Sequence, residues 1–216
     1  MDWSKGYTSE FYAYLIDPST WRETTRLQIT GGSVNKGIEG LRESADIDIP
    51  KYDPGVEKWL RVYMDVRQGG SSAHVPIFTG LATSPEQEWT GNIREGSLEC
   101  YSVLKPADDI LLERGYYTAA GANGARLISD LLSVCPAPVE INGASPSMQD
   151  ALIAEDGETA LSMAEKILKA INWRIRIHGD GTIELAPEDR DPRVRFSPLD
   201  NDVIEPSIKT TRDLYG

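Results

Sequence analysis

The chain carries 34 acidic residues, so paired carboxylates are the first chemistry to test. Two carboxylates in one cleft can divide the acid and base roles of a hydrolase. The candidates are Glu86 with Glu88, Asp108 with Asp109, Glu155 with Asp156, and Asp189 with Asp191. All fall among turn residues or at element ends. In so acidic a chain such pairs arise by chance, and a solvated surface is their expected place. Asp200-Asn201-Asp202 and Asp189-Arg190-Asp191 could offer oxygens to calcium. A calcium loop needs ligands at fixed spacing, a sharp-turn Gly and a closing bidentate Glu, and neither stretch has them. Gly121-Ala122-Asn123-Gly124-Ala125 opens a helix, where a phosphate could bind. It lacks the Lys-Ser/Thr of a P-loop and the GxGxxG spacing, so it reads as a flexible helix entry.

Nucleophilic chemistry fares no better. His74 and His178 both sit in turn-like contexts and are expected at the surface, and no GxSxG elbow occurs. Cys100 and Cys135 cannot make a zinc site alone, and neither histidine lies at ligand spacing from them. They read as two small core residues in a reducing compartment, with one disulfide as the alternative. Trp3, Trp21, Trp59, Trp89 and Trp173 are spread along the chain. Sugar-binding platforms would look the same in sequence, but core or interface packing is the expected use. No catalytic, cofactor-binding or metal residue is singled out. The chain is expected not to be an enzyme and to need no cofactor.

The elements that would position any site divide the chain. The first hundred residues read as six or seven short strands: Phe11 to Ile16, Leu27 with Ile29 ended by Gly31-Gly32, Ala45 to Ile49, Leu60 to Val66, Val75 to Leu81, and Leu98 to Val103. Period-2 alternation marks them, as in Leu60, Val62, Met64 and Val66 against Arg61, Tyr63, Asp65 and Arg67. Gly69-Gly70-Ser71-Ser72 reads as a flexible turn. After Pro106 the period becomes helical. Leu127, Ile128, Leu131, Leu132 and Cys135 share a face, with Asn123 as cap and Pro136 as stop. The stretch from Pro136 to Ser147 reads as loop. A second helix spans Ala160 to Ile171, with Asp156 as N-cap, Glu158 in its first turn, Lys166 and Lys169 towards its end, and Asn172 as stop. A hairpin follows: Trp173 to Ile177, a Gly179-Asp180-Gly181 turn, then Ile183 and Leu185. The fold class is α+β, mainly β. A β-barrel or sandwich-like domain covers 1–107, and a small α+β domain with two helices and a hairpin covers 108–190. Residues 191–216 form a linker or the start of a further β-domain, and the chain reads there either as truncated or as a naturally short one.

Composition narrows the function classes. The chain has 216 residues, 22 basic against 34 acidic, for a net charge of −12. That charge repels phosphate backbones, and specific nucleic-acid binding is not expected. No 18-residue apolar run occurs, so no membrane insertion is expected. MDWSKGYTSE lacks the apolar stretch of a signal peptide, which points to the cytoplasm where the chain is made.

Several stretches taken in order resemble a known family. They are YLIDPST (14–20), LRESADIDIP (41–50), LRVYMDVR (60–67), IFTGLATSPEQEW (77–89) and GSLECYSVLKPADD (96–109). YYTAAGANGARLISDLL (116–132), INWRIRIHGDGTIELAP (171–187) and DNDVIEPSIKTTRDLYG (200–216) complete the order. The sequence resembles the N-terminal part of the tail hub proteins of bacteriophages and contractile injection particles. That family includes baseplate hub proteins of the late control protein D type and the hub-like tail proteins. Each stretch is a pattern of strands, Gly and charge rather than an invariant motif, and family members usually continue well beyond this length. The resemblance implies a virion structural protein at the tail tip or baseplate, assembled in the bacterial host cytoplasm. It implies a homotrimeric ring, with the tail tube or distal tail protein, the central spike or fibre protein and the tape measure protein as partners. On that reading a negative lumen wall would let DNA slide past. Two alternatives stand beside it: a carbohydrate- or receptor-binding tail module, and a carboxylate-dependent cell-wall hydrolase.

Overall fold

A computed structural model describes residues 6–36, 43–50, 57–83, 86–90 and 93–188. The expected linker or further strand at 191–216 lies outside them. The FYAYLI run forms β1 (Thr8–Asp17), and β2 (Arg22–Gln28) folds back on it. Then follow β3 (Gly31–Asn35), β4 (Ser44–Pro50), β5 (Lys58–Gln68), β6 (Ser71–Ala82), β7 (Glu86–Thr90) and β8 (Ile93–Ser102). These are eight strands rather than six or seven. They form one antiparallel sheet in the order β2-β1-β5-β6-β8-β4-β3, with β7 also paired to β8.

The sheet's two end strands, β2 and β3, are separated only by Ile29 and Thr30. The sheet must therefore curl until its ends meet. In effect residues 22–35 are one bent strand that pairs first with β1 and then with β4. Gly31 and Gly32 do not end a strand as expected but begin β3. Gly32 sits at φ +149°, and a Cβ there would stand 2.5 Å from the Asp46 carbonyl, so the bend needs a residue without one. The curled sheet closes over Ala13, Leu27, Ile47, Leu60, Val62, Phe78, Leu98 and Cys100. Gly69 and Gly70 alone make the β5–β6 turn, and Ser71 and Ser72 already belong to β6.

The second half begins with α1 (Lys105–Asp109) and β9 (Tyr117–Thr118). The α2 helix (Gly124–Leu131) is capped as expected: the Asn123 side chain accepts from the Arg126 N–H at 2.9 Å. A 3-10 turn over Leu132–Val134 ends the helical path before Pro136. The region read as loop contains β10 (Val139–Ile141), and β11 (Leu152–Ile153) pairs with β9. A three-residue strand between prolines has no period to detect. The α3 helix (Ala160–Ile171) starts from Thr159 rather than Asp156; the Thr159 hydroxyl accepts from the Ser162 N–H at 3.1 Å. Glu158 thus precedes the helix, where its carboxylate accepts from the Glu155 N–H at 2.7 Å and Lys166 Nζ at 2.9 Å. Asn172 stops the helix at φ 56°, in the left-handed region.

The hairpin strands are β12 (Trp173–Ile177) and β13 (Ile183–Pro187), and β10 adds to β13 in parallel. Ile128, Leu132, Leu161, Met163, Ile167, Ile183 and Leu185 fill the core between this small sheet and the helices. Each such side chain, fully buried, contributes about 2 kcal/mol. Ile16 and Trp59 of the curled sheet belong to the same cluster, so the two halves share apolar contacts.

Candidate functional site

Two side-chain constellations stand out, and neither uses a carboxylate pair that spacing suggested. The first joins the halves of the molecule. The tip of the β12–β13 hairpin lies on the outer face of β5 and β6. Arg61, at 8 % exposure, donates from Nη2 to the Asp180 carbonyl at 2.7 Å and from Nε to Thr79 Oγ1 at 3.2 Å. Its Nη1 pairs with Glu23 Oε1 of β2 at 3.1 Å. Thr79 in turn donates to the Gly179 carbonyl at 2.8 Å, and the Trp21 indole donates to the Asp180 carbonyl at 3.3 Å. Trp21 is held at φ 55°, a costly conformation for an aromatic residue. That backbone aims its ring across the turn, edge-on to Trp59 at 5.5 Å between centroids. Trp59 packs in the core, as expected of the tryptophans. Arg61 and Tyr63 were expected on the polar face that alternates with the core, yet both are buried. The hairpin tip covers Arg61, and Tyr12 and His74 cover Tyr63.

The second constellation continues along that face. Tyr63 donates to Glu23 and stacks on His74 at 4.1 Å between ring centroids. His74 Nδ1 lies 2.6 Å from Asp65 Oδ1 and 2.7 Å from the Tyr12 hydroxyl, which itself reaches Asp65 at 3.2 Å. The Arg26 guanidinium covers the Tyr12 ring at 4.1 Å and pairs with Glu10 at 3.7 Å. The His74 bond holds the Asp65 carboxyl below the usual carboxylate range, helped by Tyr12. Burial, then the Asp65 contact, pushes the Tyr12 phenol up to about 12. Burial and the Glu23 bond also raise Tyr63. His74, expected beside a flexible loop, is thus fixed within β6, although its side chain remains 53 % exposed.

A pH dependence follows with opposite signs at the two ends. The folded Asp65 value is depressed, so its stabilisation is complete above the unfolded carboxylate value, about 4. It is lost as pH falls through the folded value. The folded Tyr12 value is raised from 10.0 to about 12, so its contribution is lost as pH climbs through that interval. Asp65→Asn should flatten the acid limb of a stability-versus-pH curve, and Tyr12→Phe the alkaline limb. Unchanged limbs in urea titrations would contradict the assignment.

The other sequence candidates disperse. Glu86 and Glu88 lie on β7, and Asp109 at the end of α1 pairs with Lys105. Glu155 shares Lys166 with Glu158, at 3.1 Å and 2.9 Å. His178 pairs with Glu184 at 3.0 Å, and Asn142 and His178 together hold the Glu184 carboxyl down. Asp189, Asp191, Asp200 and Asp202 lie outside the described residues. At the α2 entry, Ser145 Oγ takes the Ala125 N–H at 2.9 Å and Asn123 takes that of Arg126, so the chain's own side chains occupy the anion position. Cys100 and Cys135 are free and buried, in different cores; burial raises their thiols to about 12 and about 11. Among the described residues, no group of three or more His, Cys, Asp or Glu side chains is arranged to hold a metal ion. In the same residues no helix is long and apolar enough to cross a membrane.

Solved structures share this architecture. The 43 kDa tail protein of prophage MuSo2 from Shewanella oneidensis superposes with a TM-score of 0.58 at 11 % identity, over 82 % of this chain and 53 % of that one. The tail protein from Neisseria meningitidis MC58 gives 0.61 at 16 % identity, over 84 % and 51 %. This chain shares their fold. The tail-protein fold includes both halves, since the superpositions cover more than four-fifths of the chain. The chain spans about half the length of each. No family model and no curated relative matches the sequence.

Within the tail-protein fold the aromatic face does not offer open platforms. Tyr12 and Tyr63 are 6 % and 8 % exposed, their rings covered by Arg26, His74 and one another. Trp59 and Trp173 are buried.

Proposed function

We propose that this chain acts by assembly, as a structural component of a phage tail or tail-like particle. The observation that carries the reading is the tail-protein fold spanning both halves of the molecule. The order of sequence stretches from 14 to 216 supports it further, by resembling the tail hub proteins. In the finer form of the proposal the chain belongs to a trimeric hub at the tail tip or baseplate. That hub joins the tail tube or distal tail protein to the central spike or fibre, with the tape measure protein alongside. The proposed units are 1–107, 108–190 and 191–216. The Arg61-centred lock suits this role, because a connector must hold its two halves at a fixed angle.

Light scattering on the purified chain tests the trimer. Three times the 23.8 kDa chain mass is expected at high concentration. A monomer at every concentration contradicts a trimer built from these residues.

A further inference from the structure

The bend between β2 and β3 leaves an open seam. β2 leaves β1 at the Tyr12–Gln28 pair, so Thr8 to Phe11 of β1 pair only with β5. Among the described residues, β3 pairs only with β4. Among the same described residues, two strand edges without ladder partners therefore flank the bend, one four residues long and one five. Such edges are ready templates for another strand.

An apolar cavity of about 550 Å³ opens between them. Phe11, Ile29, Val34, Ile47, Val62 and Ile77 supply its apolar lining. Val62 and Ile47 are core residues at 2 % exposure, whereas Phe11 at the mouth is 45 % exposed. The interior of the curled sheet is thus filled at one end and unfilled at this one. The volume lies within the range of pockets that take a ligand.

Charge selects the occupant. Asp46 and Asp48 alternate with the lining residue Ile47 and point to the outer face, and both are exposed. They are registered against Ser33 and Gly31 of β3. A strand added at the free edge of β3 would lie two strand spacings from them, about 9.6 Å. That is comparable to a Debye length of roughly 8–10 Å. Asp46 also stands directly opposite Glu99 on β8, a like-charge pair, and no described cation is paired with Asp46 or Asp48. Glu10 lies on the other rim, where Arg26 already neutralises it. The seam is apolar inside and negative along its β3 side.

We propose that this seam binds an extended segment of a partner protein by strand addition, with alternating apolar side chains entering the cavity and basic residues flanking them. Main-chain bonds to the two edges would supply affinity, and the cavity and the Asp46–Asp48 pair would supply selection. The inference rests on the seam alone and stands apart from the tail reading.

The test uses the full chain and two fluorescent heptapeptides, Lys-Val-Ser-Ile-Ser-Val-Lys and its Glu-flanked counterpart, read by anisotropy. The Lys-flanked peptide is expected to bind, about tenfold more tightly than the other. Asp46→Lys with Asp48→Lys should remove that preference, and Phe11→Asp, at the exposed mouth, should abolish binding while the melting curve stays cooperative. Failure of the Lys-flanked peptide to bind, equal binding of both, or indifference to Phe11→Asp overturns the proposal. Self-association that Phe11→Asp abolishes, without peptide binding, would give the seam to a second copy of this chain and overturn it too.

Discussion

Gly179→Ala should lower stability by about 3–5 kcal/mol, an effect at the top of the single-substitution range. The added Cβ would stand 1.8 Å from the Pro76 carbonyl oxygen and 2.6 Å from its carbon. Both atoms are backbone in the middle of β6, so no side chain can swing aside. The clash is relieved only by lifting the hairpin tip off β5 and β6. That movement breaks the Thr79–Gly179, Arg61–Asp180 and Trp21–Asp180 hydrogen bonds together. Each neutral bond contributes about 1 kcal/mol and the charged one more. Gly157→Ala is the matched control: Gly157 sits at φ +79° with nothing near its would-be Cβ. It should cost only the strain of the left-handed backbone, about 1 kcal/mol. Urea midpoints measured side by side check the pair. Equal losses would mean that the hairpin tip is not seated as described.

Arg61→Ala should cost about 3–5 kcal/mol through a different mechanism. Its guanidinium bonds three elements at once: Glu23 on β2, Thr79 on β6 and the hairpin turn at Asp180. Truncation leaves the Glu23 carboxylate and the Thr79 hydroxyl short of a donor beside a buried surface. It also removes the stem that packs across β5. Arg61→Lys keeps the charge but not the fork, so it should recover only part of the loss. Because Gly179 and Arg61 act on the same contact, the double variant should cost clearly less than the sum of the two. Strict additivity in the double-mutant cycle would separate them and contradict the lock.

Local patterns were readable where neighbouring residues decide the structure. Asn123 and Asn172 announced a helix start and a helix end, because capping involves only the adjacent turn. The alternation in β4 and β5 marked strands, because one face of each meets the core. The same alternation misjudged Arg61 and Tyr63. The hairpin turn on Arg61 lies 119 residues beyond it, and the rings on Tyr63 come from β1 and β6, so no local period reports either. The Tyr12–Asp65–His74 cluster was invisible for the same reason: its members come from three strands, 53 and 62 residues from Tyr12. Aspartates and histidines were judged by their sequence neighbours, whereas the sheet register made them partners. β10 and the Thr159 cap show the lower limit of pattern reading. A three-residue strand has no period, and Asp156 and Thr159 both have side chains able to cap.

The most direct test of the assembly account is immuno-electron microscopy. An antibody raised against this chain would be applied to phage or tail-like particles from the source strain. The account predicts label on the tail, concentrated at the tip or baseplate. Intact particles without label, while the same antibody detects the protein free in the cytosol, would contradict it.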